Sequence, residues 1–190
     1  MAAKTDKSIE ALLQHSFKEM LQLLNKNQAF TTREVKGEFI EEQEFKTIMF
    51  TVSSSNFRLV VLLHFLPKSE LNAELYDTLK LDPACSTQYY QDFICELGNN
   101  FCGVICRVLG AADFSTGMST PAILANKKSI INLRSVCIDF ETHAGGFVDN
   151  QVPLCASMCL FFNKGANMEL NIPIPAASHE QENLGELEFF

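Results

Sequence analysis

The chain is short of positive charge. Its 190 residues include 15 Lys and Arg against 23 Asp and Glu, a formal net charge of −8, and no stretch concentrates the basic residues. Nonspecific nucleic-acid binding depends on neutralising phosphates with Lys and Arg. The balance therefore argues against a nucleic acid and favours a protein partner or a small ligand. Long apolar runs are missing too. The longest, over residues 59–66, is interrupted by His64 and stops far short of the roughly 20 residues that span a bilayer. Residues 1–9 are polar and mixed in charge, unlike a secretory signal. The expectation is a soluble, cytoplasmic protein with no membrane segment.

Metal-binding and thiol frameworks are absent as well. There is no Cys-x-x-Cys pair. The 7 cysteines are an odd count with only 4 histidines scattered among them, and no quartet has the spacing of a zinc site. Cys102 and Cys106 lie one helical turn apart, while Cys155 and Cys159 would share one face of a strand. The cysteines read as reduced, mostly buried, small hydrophobes, so neither a structural metal nor a disulfide is expected. His15, His64, His143 and His179 have no carboxylate, Cys or Ser partner at a telling spacing, and no catalytic histidine is expected. Ser115, Thr116 and Ser119 stand in a loop without a nucleophile elbow around them.

What the chain does have is a hydrophobic content of 47%, ordinary for a globular protein. A chain of this length can bury roughly 70% of its unfolded surface. Residues 8–25 read as an amphipathic helix, with Ile9, Leu13, Phe17, Met20 and Leu24 recurring every three or four positions. Strands are expected over 35–40, 45–52 and 57–65, the last two joined by a turn at Ser53-Ser54-Ser55-Asn56. Pro67 ends that set, and Ser69 is positioned to cap a short helix carrying Leu71, Leu75 and Leu79. Asp82-Pro83 breaks it. A longer helix capped by Ser86 or Thr87 should run to about Leu109 and stop at Gly110. After a loop rich in Ser, Thr and Gly, Pro121 opens a second set of strands over 122–125, 130–140 and 152–162. A turn at 163–167 leads to a last strand at 168–174. The order α-βββ-αα-ββββ suggests a rough internal duplication and an α+β fold with antiparallel strands. Residues 1–175 form one domain in this reading, and 176–190 a mobile tail.

One helix carries the candidate chemistry. Advancing 100° per residue from Asp92 places Phe93, Leu97, Phe101, Val104, Ile105 and Val108 on one arc. Asp92, Glu96, Asn99 and Gly103 fall on the opposite arc. Gly98 and Gly103 each cost about 1 kcal/mol relative to Ala in such a helix, a cost that close approach by another chain or element would explain. Polar residues opposite an apolar stripe are what any surface helix shows. Spacing alone does not make a site.

The wider pattern is more specific. Asp92-x-x-x-Glu96-x-x-Asn99, with Leu97 after the Glu, Gly103 beyond the Asn and Thr120-Pro121-Ala122-Ile123 at a strand entry, resembles the signature of the CheX/CheC/FliY phosphatases. Twenty-one residues separate Asn99 from Pro121, one fewer than in the family pattern. The first helix offers only Glu19-x-x-Gln22, so the chain resembles the single-site, CheX-like members. The resemblance implies a phosphatase for the aspartyl phosphate of a CheY-like receiver domain, with Mg²⁺ supplied by the receiver and no cofactor bound by this chain. It implies that Asn99 orients the attacking water and that Glu96 pairs with the receiver's lysine. Asp92 and Gly103 would then make docking contacts, and Pro121 would fix the neighbouring loop. Relatives that pair through sheet edges imply a homodimer. Two alternatives stand beside this reading: a noncatalytic receiver-binding adaptor, and a ligand-sensing scaffold using the apolar sheet. Lys127 and Lys128 read as a solvated turn.

Overall fold

A computed structural model describes residues 2–24, 30–124, 139–149, 151–163 and 169–174. In chain order they form α1 (Ala2–Leu24), β1 (Thr31–Glu34), α2 (Gly37–Glu42), β2 (Lys46–Ser53) and β3 (Phe57–Phe65). A 3-10 turn, Lys68–Glu70, precedes α3 (Ala73–Thr78) and α4 (Thr87–Ala111). Four strands follow: β4 (Gly117–Met118), β5 (Ala122–Leu124), β6 (Phe140–Val148) and β7 (Gln151–Phe162).

The strands make one seven-stranded antiparallel sheet in the order β1-β6-β7-β3-β2, with β4 and β5 following one another along the outer edge of β2. This is the α+β architecture expected, and the order of elements is largely the one read from the sequence. β3 and β7 sit in the middle and are apolar nearly throughout, because both of their faces are covered. α1 and α4 pack on one face, where Phe17 and Phe101 meet edge to face with ring centres 5.8 Å apart. On the other face Ile40 of α2 joins Phe45 and Cys155 in a smaller cluster.

Several expectations need correction. Residues 35–40 were expected to be a strand; the strand is the polar stretch Thr31–Glu34, and Gly37–Glu42 is helical. Glu38, Glu41 and Glu42 favour a helix, and β1 is a strand only because β6 offers it a ladder partner. Ser69 does not cap α3. Asn72 does, accepting from the Leu75 N–H at 2.9 Å. β4 and β6 are strands the sequence reading left out, and the helix expected at 8–25 begins six residues earlier. In β6, Gly145-Gly146 looks like a turn, yet a Cβ on Gly146 would lie 2.9 Å from a Leu21 methyl of α1. The glycine lets helix and sheet close. The strand expected at 168–174 is not formed over the described residues 169–174, which join no ladder, although their burial alternates as expected, with Leu170 and Ile172 buried. The Leu170 N–H instead donates to Thr5 Oγ1 of α1 at 3.1 Å. Residues 130–138 of the strand expected over 130–140, residues 164–167 of the turn expected at 163–167, Lys127, Lys128 and the tail 176–190 lie outside the described residues.

α4 starts as read, with Ser86 Oγ accepting from the Tyr89 N–H. It does not stop at Gly110. Asp113, at φ 63°, follows the last turn, and the Phe114 N–H closes onto the Leu109 carbonyl at 2.9 Å while Asp113 N–H closes onto Gly110. This pair of bonds with a left-handed residue between is a Schellman termination, here built on aspartate.

Candidate functional site

The outward face of α4 is set by what its inward face buries. Phe93, Leu97, Phe101, Val104, Ile105 and Val108 are all buried in the main core, as the 100° spacing requires. Gly98 is buried as well. A Cβ there would collide with the ring of Phe50 on β2, so the glycine lets the helix cross the sheet closely at that point. Gly103 is different, since a Cβ on it would meet nothing within 4 Å.

Opposite the core, Asp92 and Glu96 are exposed while Asn99 and Gly103 are half-buried. Glu96 and Asn99 are in direct contact: Asn99 Nδ2 donates to Glu96 Oε2 at 3.2 Å. Asn100 Nδ2 donates to the Glu96 backbone carbonyl at 3.1 Å, and Gln88 Nε2 to Asp92 Oδ1 at 2.8 Å. Among the described residues neither Asp92 nor Glu96 has an ion-pair partner. The face is electrically negative. Burial, then the charges of Asp92 and Glu96, hold the Cys95 thiol above its ordinary pKa.

Pro121 lies on the neighbouring sheet edge. β2 pairs Val52 with Met118 and Met49 with Ala122, so two residues of β2 stand opposite Ser119, Thr120 and Pro121. That is a one-residue bulge. It is clipped by Thr51, whose N–H donates to Ser119 Oγ at 3.0 Å and whose carbonyl accepts from the Ser119 N–H at 2.9 Å. Counting back from Ala122 puts Pro121 beside Phe50, the residue beneath Gly98. The structure therefore brings Pro121 to the flank of the helix turn that carries Asn99. Ser119, read from the sequence only as a loop hydroxyl, is the residue that holds the bulge.

Sequence spacing missed a second polar cluster. On the sheet face away from α1 and α4, His64 bridges Thr47 Oγ1 at 2.9 Å and Ser157 Oγ at 2.8 Å. His143 Nδ1 lies 2.8 Å from the same Ser157 Oγ, and its Nε2 lies 3.5 Å from Glu141. The Ser and carboxylate partners that no telling spacing offered His64 and His143 are supplied by the fold, in a cluster drawn from four strands. A Glu-His-Ser order invites a hydrolytic reading, but Ser157 and His64 are each only 1% exposed. No substrate reaches that hydroxyl, and the cluster satisfies buried polar groups within the sheet.

Comparison with known proteins adds to this geometry. No protein-family model matches the chain, and no curated protein resembles it in sequence. Solved structures resemble it in fold. CheX of Borrelia burgdorferi, in a complex with CheY, BeF3 and Mg²⁺, superposes with a TM-score of 0.59 at 12% identity, over 80% of this chain and 97% of that one. The chain has the CheX/CheC fold. CheX of Vibrio vulnificus gives a TM-score of 0.56 at 15% identity, covering 78% of this chain and 99% of that one. A CheC-like protein of a Shewanella species gives 0.56 at 12% identity, covering 80% and 97%. At these identities it is the CheX-like fold that is shared. α4 is the one described helix long and apolar enough to cross a membrane, and in this fold its apolar face is spent on the core.

Proposed function

We propose that the chain is a cytoplasmic phosphatase for the aspartyl phosphate of a CheY-like receiver domain, in chemotaxis or related two-component signalling. The observation that carries this reading is the Glu96–Asn99 contact on an outward helix face of a CheX-like fold. A carboxylate only accepts hydrogen bonds, so the Asn99 amide must turn its NH₂ toward Glu96 and its Oδ1 away. Oδ1 then accepts from a water and holds it in line with the phosphorus. Glu96 keeps its second oxygen for the receiver's lysine, a charge-assisted contact. Asp92 extends the acidic face at its rim, and Gly103 presents no side chain to an incoming surface.

Phosphoryl transfer needs positioning and charge stabilisation more than covalent chemistry. The receiver's own Mg²⁺ supplies neutralisation of the phosphoryl oxygens. This chain contributes the placed water and the anchor, and needs no titrating base. Phosphorylated receivers from the same organism, incubated with the protein while phosphate release is timed, test the proposal. Acceleration by the native chain that Asn99→Ala abolishes supports it. If a receiver binds tightly but loses phosphate no faster, the chain is an adaptor and the enzymatic reading is wrong.

A homodimer is the assembly proposed with this function. In its support, the outer edge of β1 is unpaired among the described residues, and such an edge is a template for another strand. Light scattering at micromolar concentration should give twice the monomer mass; the monomer mass itself would contradict it.

A further inference from the structure

Met118 and Ile123 are five residues apart on the outermost edge of the sheet. In an unbroken strand an odd separation puts two side chains on opposite faces. Here both face the helices, because Met118 stands opposite Val52 and Ile123 opposite Ile48, and those two β2 residues are buried beneath α4. The extra residue of the Ser119–Thr120–Pro121 bulge restores the phase. Without it one of the two would turn to the far side of the sheet.

The result is an apolar ledge. Met118 is 42% exposed and Ile123 50%, the two highest values among the exposed large hydrophobic side chains described. The half-buried Pro121 lies between them, and the row is about 15 Å long at strand spacing. α1 covers one flank of α4, with Arg107 reaching Glu19 across it. The other flank looks down on this ledge, with Gly98 over Phe50 marking where they adjoin. Proline has no N–H to give a ladder at an edge, so the ledge invites side chains rather than an added strand.

We infer that this ledge is the apolar half of the docking surface whose acidic half is Asp92 and Glu96; the inference rests on the phosphatase reading and names the partner surface it requires. The two carboxylates have no cation of their own among the described residues, so the occupant brings one. The ledge lies alongside and presents Met118 and Ile123 as exposed apolar side chains, next to the exposed Ser119 and Thr120 of the bulge, so the occupant brings apolar side chains next to that cation. The partner is a receiver surface with a lysine flanked by apolar residues. The ledge contributes affinity, and the Glu96–Asn99 pair contributes the chemistry.

Binding of a beryllofluoride-activated receiver to the full chain tests this. Ile123→Ser and Met118→Ser should each weaken binding about tenfold, the scale of burying half of a large aliphatic side chain. Leu23→Ser, at a position 37% exposed on α1 and remote from the ledge, should leave affinity unchanged. Both ledge positions are exposed, so thermal unfolding should match the native chain and show that lost binding is not lost folding. Should the native chain bind a receiver while both ledge variants bind it equally well, the ledge is not part of the surface, and the phosphatase reading stands without it. Should no activated receiver bind the native chain, the phosphatase reading itself fails and the ledge proposal with it. A ledge variant that changes the mass in solution would make the ledge a self-association surface and overturn the proposal.

Discussion

α1 and α4 lie side by side on the same sheet face and carry the same short pattern outward, a glutamate with an amide three residues on. Their surroundings differ. Glu19 on α1 is held by Arg107 at 3.4 Å and by His15 at 3.7 Å, while Gln22 is exposed. Glu96 on α4 is held by its own amide, Asn99, at 3.2 Å and, among the described residues, by no cation. A carboxylate already paired has little to offer an incoming lysine. In the proposed function, this ion pair separates the two helices as much as the Gln-for-Asn difference does, since Arg107 belongs to α4 and neutralises its neighbour.

The largest effect should separate the two amides. Asn99→Ala should slow receiver dephosphorylation roughly 10²-fold, the scale of a lost positioning contact, with little change in affinity for the activated receiver. Gln22→Ala should leave both unchanged. Glu96→Ala should weaken binding as well as turnover, by about 10- to 100-fold for a shielded charge-assisted bond. Equal losses in Asn99→Ala and Gln22→Ala would erase the distinction between the helices.

A smaller effect separates the two glycines of α4. Gly98→Ala forces a Cβ into the Phe50 ring, and overpacking of this kind costs about 1–3 kcal/mol, offset in part by about 1 kcal/mol of helix propensity. Gly103→Ala meets open space and should gain up to that propensity, about 1 kcal/mol. Urea unfolding of the two variants should give opposite signs. Two shifts of the same sign would mean that α4 does not cross β2 at Gly98.

The smallest expected change lies on α1. Ser16 is fully buried, and its Oγ is the one buried side-chain polar atom among the described residues with no hydrogen-bond partner. Ser16→Ala removes an unsatisfied hydroxyl and adds helix propensity, so the protein should be stabilised by about 1 kcal/mol. A destabilised variant would show that the hydroxyl has a partner after all.

Legibility followed the range of the interactions. The arc of Asp92, Glu96, Asn99 and Gly103 was readable because a helix repeats every 3.6 residues and its neighbours are close in sequence. β2, β3 and β7 were readable because buried strands are dense in apolar residues. β1 was not. Thr-Thr-Arg-Glu has two β-branched residues but no apolar alternation, and its ladder comes from β6, over a hundred residues away. The same holds for the Thr47, His64, His143 and Ser157 cluster, which no spacing along the chain discloses.

The sequence by itself determined the amphipathic helices, the central strands, the negative charge and the polar face of α4, since each follows from local periodicity and composition. Tertiary structure alone decided the bulge that turns Met118 and Ile123 to one side, the crossing of Gly98 over Phe50 and the pairing of Glu19 with Arg107. Each of these depends on which distant residues become neighbours. That depends on strand register and helix packing, and a one-residue shift in either would change the outcome.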